Sequence, residues 1–206
     1  MIRYSKPVFI ILLFVVSACA SGITRVPRLD LRDSRLPIDA RRWLADTEDE
    51  VVIARSRMDD IYDRLDRIKT YQKSLKSESV FTSAKGAKAG AGKTEELFNN
   101  YAMAQVNLTE MQFKTAQKVF ELARARLNQA RAETAIRYDL AVYEMEPIVL
   151  EVDNMKKEVA AAQIQLQSKQ ADVEKSADNL WRGYAKFVKE GGSTNIFWKF
   201  RSINFW

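Results

Sequence analysis

Apolar residues recur through most of the chain in alternating steps of three and four, the spacing that lays one stripe along a helix. The first run takes in Leu44, Thr47, Val51, Ala54, Met58, Ile61, Leu65, Ile68, Gln72 and Leu75, with Asp, Glu, Arg and Lys between them. Met58, Ile61, Leu65 and Ile68 are its strongest seam positions. A helix of about 40 residues is about 60 Å long, which suits a rod rather than a compact globule. The second run starts as Leu97, Tyr101, Ala104, Leu108 and Met111 and drifts to Ala116, Phe120, Ala123, Leu127 and Ala130. Such drift suits a bundle better than a two-stranded coil, since alanines permit close approach and aromatic rings fill wider layers. The third run has the cleanest period: Val152, Met155, Val159, Ala162, Leu166, Lys169, Val173, Ser176, Leu180, Gly183 and Phe187. Lys169, Ser176 and Gly183 weaken that seam and are intruders of the kind that sets register or partner number.

The breaks between these runs predict where the helices end. Ser77 to Lys93, rich in Ser, Gly, Ala and Lys, reads as a loop, after which Thr94 caps the second helix and Glu95 and Glu96 complement its positive end. Within that loop, Ala87 to Thr94 approximates the phosphate-binding pattern GxxxxGK followed by Thr, with Ala87 where the first glycine belongs. A phosphate cradle needs a buried strand feeding its turn, and only Val80 and Phe81 are large and apolar just ahead of it. No nucleotide is expected to bind. Pro147 would cost about 3 kcal/mol inside a helix, so the chain kinks or turns there. Three segments of similar length favour a folded-back three-helix bundle. Negative charge at a new helix N-terminus explains Glu144, Glu146, Glu151 and Asp153 around the proline more simply than a bound cation does. Lys186 and Lys189 followed by Gly191 and Gly192 stop the third helix near Glu190.

Composition narrows the chemistry. The chain of 206 residues contains no histidine, one cysteine, seven glycines and four prolines. The lack of histidine removes the usual general base, the commonest metal ligand and every Ser-His or Cys-His nucleophile pair. The fold class read from this balance is all-α, an elongated bundle or coiled coil of two to three long helices spanning residues 38–190. No enzyme activity, cofactor or metal is expected. A net charge of +6 is modest and compatible with acidic headgroups or cell-wall polymers as neighbours.

Arg3 and Lys6 precede an apolar run from Val8 to Val16, which is followed by Ser17, Ala18 and Cys19. The run is too short for a spanning helix, which needs about 20 apolar residues. The layout is that of an export signal over residues 1–18. Val16-Ser17-Ala18-Cys19 resembles the lipobox of bacterial lipoproteins. That resemblance implies cleavage before Cys19, a fatty acyl chain such as palmitate on Cys19, and a lipid-anchored protein in the cell envelope. Ala20 rather than Asp after the cysteine implies the periplasmic face of the outer membrane. Residues 19–37 then read as a flexible tether in which Arg25, Arg28, Arg32 and Arg35 alternate with Asp30 and Asp33, either solvated or laid against anionic headgroups.

Residues 191–206 end in a run unlike the rest: Ile196, Phe197, Trp198, Lys199, Phe200, Arg201, Ile203, Phe205 and Trp206. Aromatic rings with two cations suit docking to a membrane interface or a partner, and the seams end before them. The functional expectation is a lipid-anchored scaffold or adaptor in the periplasm, whose helices associate with themselves or a protein partner and whose tail docks. Nucleic acid is a poor partner for an exported chain and is not expected. The alternatives are an accessory lipoprotein subunit of an envelope export or surface-assembly machine and, more remotely, a hydrolase using carboxylates alone.

Overall fold

The computed structural model describes residues 26–77 and 88–192. All its regular secondary structure is helical: α1 (Ile38–Ser77), α2 (Lys88–Arg137) and α3 (Met145–Lys189). They run up, down and up. Glu48 on α1 pairs with Arg131 on α2, and Lys69 with Glu110. On the other side of α2, Lys118 pairs with Glu158 on α3, and Gly183 faces Leu97. Each neighbour therefore packs antiparallel to α2. The 50 residues of α2 span about 75 Å. Both α1 and α3 pack along α2, while their contact with each other is marginal.

Pro37 sits just ahead of α1, where its missing N–H is no loss, and its carbonyl accepts from Arg41 N at 3.2 Å. The start of α2 differs from the loop expected up to Lys93. The helix begins at Lys88 and takes Gly90 and Gly92 into its first turns, so Thr94 is a buried interior residue and not a cap. Two glycines in a helix cost about 1 kcal/mol each relative to alanine, a penalty small enough for tertiary packing to override. Leu97 and Phe98, one turn further on, supply that packing against α3.

Pro147 is at a turn and not a kink. α2 ends at Arg137, and α3 starts with Glu144 as its N-cap, making Pro147 the third helical residue, where backbone N–H groups have no intrahelical partner. Tyr138 and Tyr143 fall in the turn rather than on α2. The exit from α2 is closed by Asp139 in the left-handed region (φ 51°). Leu140 N donates to Ala135 O at 2.8 Å and Asp139 N to Ile136 O at 3.3 Å. Gly191 (φ 86°) ends α3 in the same way, with Gly192 N donating to Phe187 O at 3.0 Å. A side chain at Asp139 is thus held where glycine is preferred. Asp139→Gly is expected to raise stability by under about 1 kcal/mol, and Asp139→Val to lower it by about 1–2 kcal/mol, as read by thermal melting.

Packing changes character along the rod. The lower end, beside the 138–144 turn, is alanine-rich: Ala130, Ala132 and Ala135 are buried, with Val26 and Ile148 against Ala132. Next come Leu122 and Ala125 with Val152, Met155 and Val159. The upper end is aromatic, formed by Phe98, Tyr101, Leu180, Tyr184 and Phe187. Buried Thr47, Thr109 and Thr115 each donate to the carbonyl four residues earlier, at 2.7, 2.9 and 2.8 Å, so their hydroxyls are satisfied within their own helices.

Candidate functional site

The two ends of the rod carry its most distinctive groups. At the lower end, Asp30 and Asp33 each accept from a backbone N–H two residues on, Arg32 N and Arg35 N, both at 2.9 Å. These successive Asx-turns fold residues 30–36 into a compact collar. Arg41 on the first turn of α1 holds the collar by donating to Leu36 O at 2.8 Å and Asp33 O at 3.0 Å. Leu36 is buried beneath it. Arg35 donates to Asp139 O at 3.3 Å, which links the collar to the α2–α3 turn. Hydrogen bonds from the Arg35 side chain and backbone hold the Asp33 carboxyl at about 2.

Glu48 ties this collar to α2. One carboxylate oxygen accepts from Arg131 at 2.8 Å, and the other accepts from Arg28 at 3.0 Å. Burial works to raise the Glu48 carboxyl, but the hydrogen bond from Arg131 and the charge of Arg28 outweigh it and bring the group below the ordinary glutamate range. Of the segment 19–37, the described part from Val26 onward lies against the helices. Arg28 and Arg35 pair within the protein, and Val26 is in the lower core.

The seam residues read from the sequence sit at the helix contacts. Leu65, Val152, Met155, Val159 and Leu180 are buried, whereas Met58, Ile61, Ile68, Leu166 and Val173 are half-buried. Gly183 is more than a weak seam position, because a Cβ there would overlap Leu97 and its absence lets α2 approach. The aromatic residues Tyr101, Phe113, Phe120, Tyr138 and Tyr143 do not form one groove. Tyr101 is in the upper core, Phe113 packs on Tyr62 with ring centroids 5.6 Å apart, Phe120 lies beneath Arg124, and Tyr143 flanks the lower core.

The carboxylates around Pro147 are dispersed. Glu144 makes no side-chain cap bond, and Asp153 accepts from Lys156 at 2.9 Å, which lowers its carboxyl. Among the described residues no group of three or more His, Cys, Asp or Glu side chains is arranged to hold a metal ion. Nor, among them, is any carboxylate residue fully buried. Lys93 is exposed on α2 and Thr94 is buried beside it, so these two phosphate-loop residues stand on a continuous helix.

Two of the clefts among the described residues bring cations beside apolar side chains. The larger, about 520 Å³, lies at the upper end between Lys93 and Thr94 of α2 and Arg182, Lys186 and Phe187 of α3. Its cations are partly spent, with Arg182 on Asp178 at 2.8 Å and Lys186 on Glu190 at 3.9 Å. The second, about 320 Å³, is a groove at mid-length with Arg57, Ile61 and Arg64 of α1 on one side and Leu166 of α3 on the other.

Cys19 and the tail residues Ile196, Phe197, Trp198, Lys199, Phe200, Arg201, Phe205 and Trp206 lie outside the described residues. Sequence reading missed the Glu48–Arg131 clamp and the Arg57–Arg64 pair. The heptad steps place Arg57 and Arg64 seven apart around Ile61, but nothing local separates them from the other surface arginines. Among the described residues, no helix is long and apolar enough to cross a membrane. No protein-family model, no curated protein and no solved structure matches the chain.

Proposed function

We propose that the protein is a lipid-anchored spacer and adaptor of the bacterial envelope, held by an acyl chain on Cys19 and docking a partner or membrane surface through residues Ile196 to Trp206. What supports this most is the disposition of the two chain exits. The chain enters at Val26 in the lower core and leaves at Gly192 beside the upper core, with the length of α3 between. The 45 residues of α3 span about 65 Å, so an anchor before Val26 and a tail after Gly192 act at opposite ends of a rod. An odd number of antiparallel helices produces this separation; two or four would return the chain to its starting end. The packed collar sharpens the mechanism, because it turns the last part of the tether into a fixed base. Only residues 19–25 then span the gap to a lipid surface, at most about 25 Å. The rod is thereby held close to the anchor and its far end is projected outward.

The test is metabolic labelling with a fatty acid, followed by membrane fractionation of the wild type and Cys19→Ser. Label on the wild type, and loss of both label and membrane association in the variant, is the expected result. A wild type that takes no label and fractionates as a soluble protein would remove the anchor and the reading with it.

A further inference from the structure

The mid-length groove is unfinished in packing and in charge. Because α1 and α3 both lean on α2 and hardly touch, Ile61, Val119 and Leu166 meet around a groove of about 320 Å³ without closing it. All three are only half-buried, and α3 has no buried residue between Ala162 and Leu180. Arg57 and Arg64 line the same groove. Seven residues apart, they share one face of α1 with Ile61 between them, and their Cα atoms are about 10 Å apart along the axis. The Arg64 Nε is withdrawn from solvent with no acceptor. Among the described residues, neither arginine has an ion-pair or hydrogen-bond partner. Asp60 and Asp63 lie between them in sequence, yet neither carboxylate reaches them. A guanidinium held at an apolar groove without a counter-charge is suited to receive an acid from outside.

We propose that this groove docks an amphipathic helix of a partner protein that carries two carboxylates one heptad apart beside its apolar stripe. Its apolar residues cover Ile61, Val119 and Leu166 and complete a four-helix layer at that level. Carboxylates seven residues apart are also about 10 Å apart, so one meets Arg57 while the other meets Arg64. The spacing selects this occupant over a single-headed amphiphile, which would satisfy one arginine and leave the other bare. The groove lies midway along the rod and draws on neither the acyl anchor nor the tail, so the inference stands apart from the function proposed above.

The probe is a labelled, helix-forming synthetic peptide of three heptads with a leucine seam and two Glu residues seven apart, titrated against the full chain. Matched peptides carry Lys for Glu, or the same Glu pair on the opposite face. Saturable binding of the first peptide is expected, weakened about tenfold or more by Arg57→Glu with Arg64→Glu and by each peptide change. The doubly substituted protein should in turn gain affinity for the Lys peptide, a rescue that an unfolded variant cannot give. Equal binding of the Glu and Lys peptides, or no saturation by any of them, would overturn the proposal. So would stoichiometric binding of oleate with no peptide binding, which would make the groove an amphiphile site. A concentration-dependent dimer lost in the same variant would overturn it in favour of a second copy of this chain.

Discussion

Phe187→Ala is expected to lower the unfolding free energy by about 3–5 kcal/mol and the melting temperature by about 10 °C or more. The ring is 1 % exposed and sits among Phe98, Tyr101, Leu180 and Tyr184, the one aromatic core the molecule has among its described residues. Gly192 already folds over the ring so closely that a Cβ there would overlap it. The contrast to measure is truncation after Gly192, which removes the aromatic tail but keeps Phe187 and the helix stop. That truncation should leave helicity and melting nearly unchanged, because long amphipathic helices take their stability from their own seams. Thermal denaturation of the two variants side by side decides the matter. A truncated chain that melts as low as Phe187→Ala would make the tail part of the core and remove it as a docking element.

Glu48→Ala should cost about 1–3 kcal/mol, and most of that comes from one of its two partners. The Arg131 side chain is 16 % exposed and loses its carboxylate partner in a partly dry site, whereas Arg28 is 72 % exposed and returns to water at little cost. Arg28→Ala should therefore cost under about 1 kcal/mol. A double-mutant cycle of Glu48 with Arg131 should show the larger coupling. The variant should also free the collar, which trypsin reports by faster cleavage at Arg28, Arg32 and Arg35. Both Glu48 and Asp33 are held below their ordinary values in the folded chain. Their stabilisation is full above the unfolded carboxylate range of about 4 and is lost as pH falls through the folded values, toward about 2 for Asp33. Acid melting of Glu48→Ala should accordingly show a shallower fall below pH 4.5 than the wild type. Parallel acid limbs would mean that the clamp contributes nothing.

Much of the helical body was legible because a helix writes its apolar face into the chain at intervals of three and four. Val152, Met155, Val159 and Leu180 of α3 announce themselves that way, and Gly191 and Gly192 mark its end by chemistry that is wholly local. The lack of histidine and the pattern before Cys19 are equally facts of the sequence. Local signals misled where packing outweighed them. Gly90 and Gly92 read as loop residues, but the turns that follow pack on α3 and the helix extends back through them. Asp139 has no glycine-like signature, yet two backbone hydrogen bonds hold it in the left-handed region and end α2 well before Pro147.

What periodicity cannot carry is which helix each stripe meets. The seams of α1 and α3 say that both helices bury a face; only the tertiary structure decides that both faces go to α2 and leave a groove between Arg64 and Leu166. The collar is the same kind of fact. Asp30 and Asp33 form Asx-turns from neighbours in sequence, but the residues that turn those loops into a fixed base, Glu48 and Arg131, are 83 positions apart. Spacing along a chain reports the face a residue occupies on its own helix. The partner across the interface is set by the free energy of burying all the faces together, and that is a property of the assembled bundle.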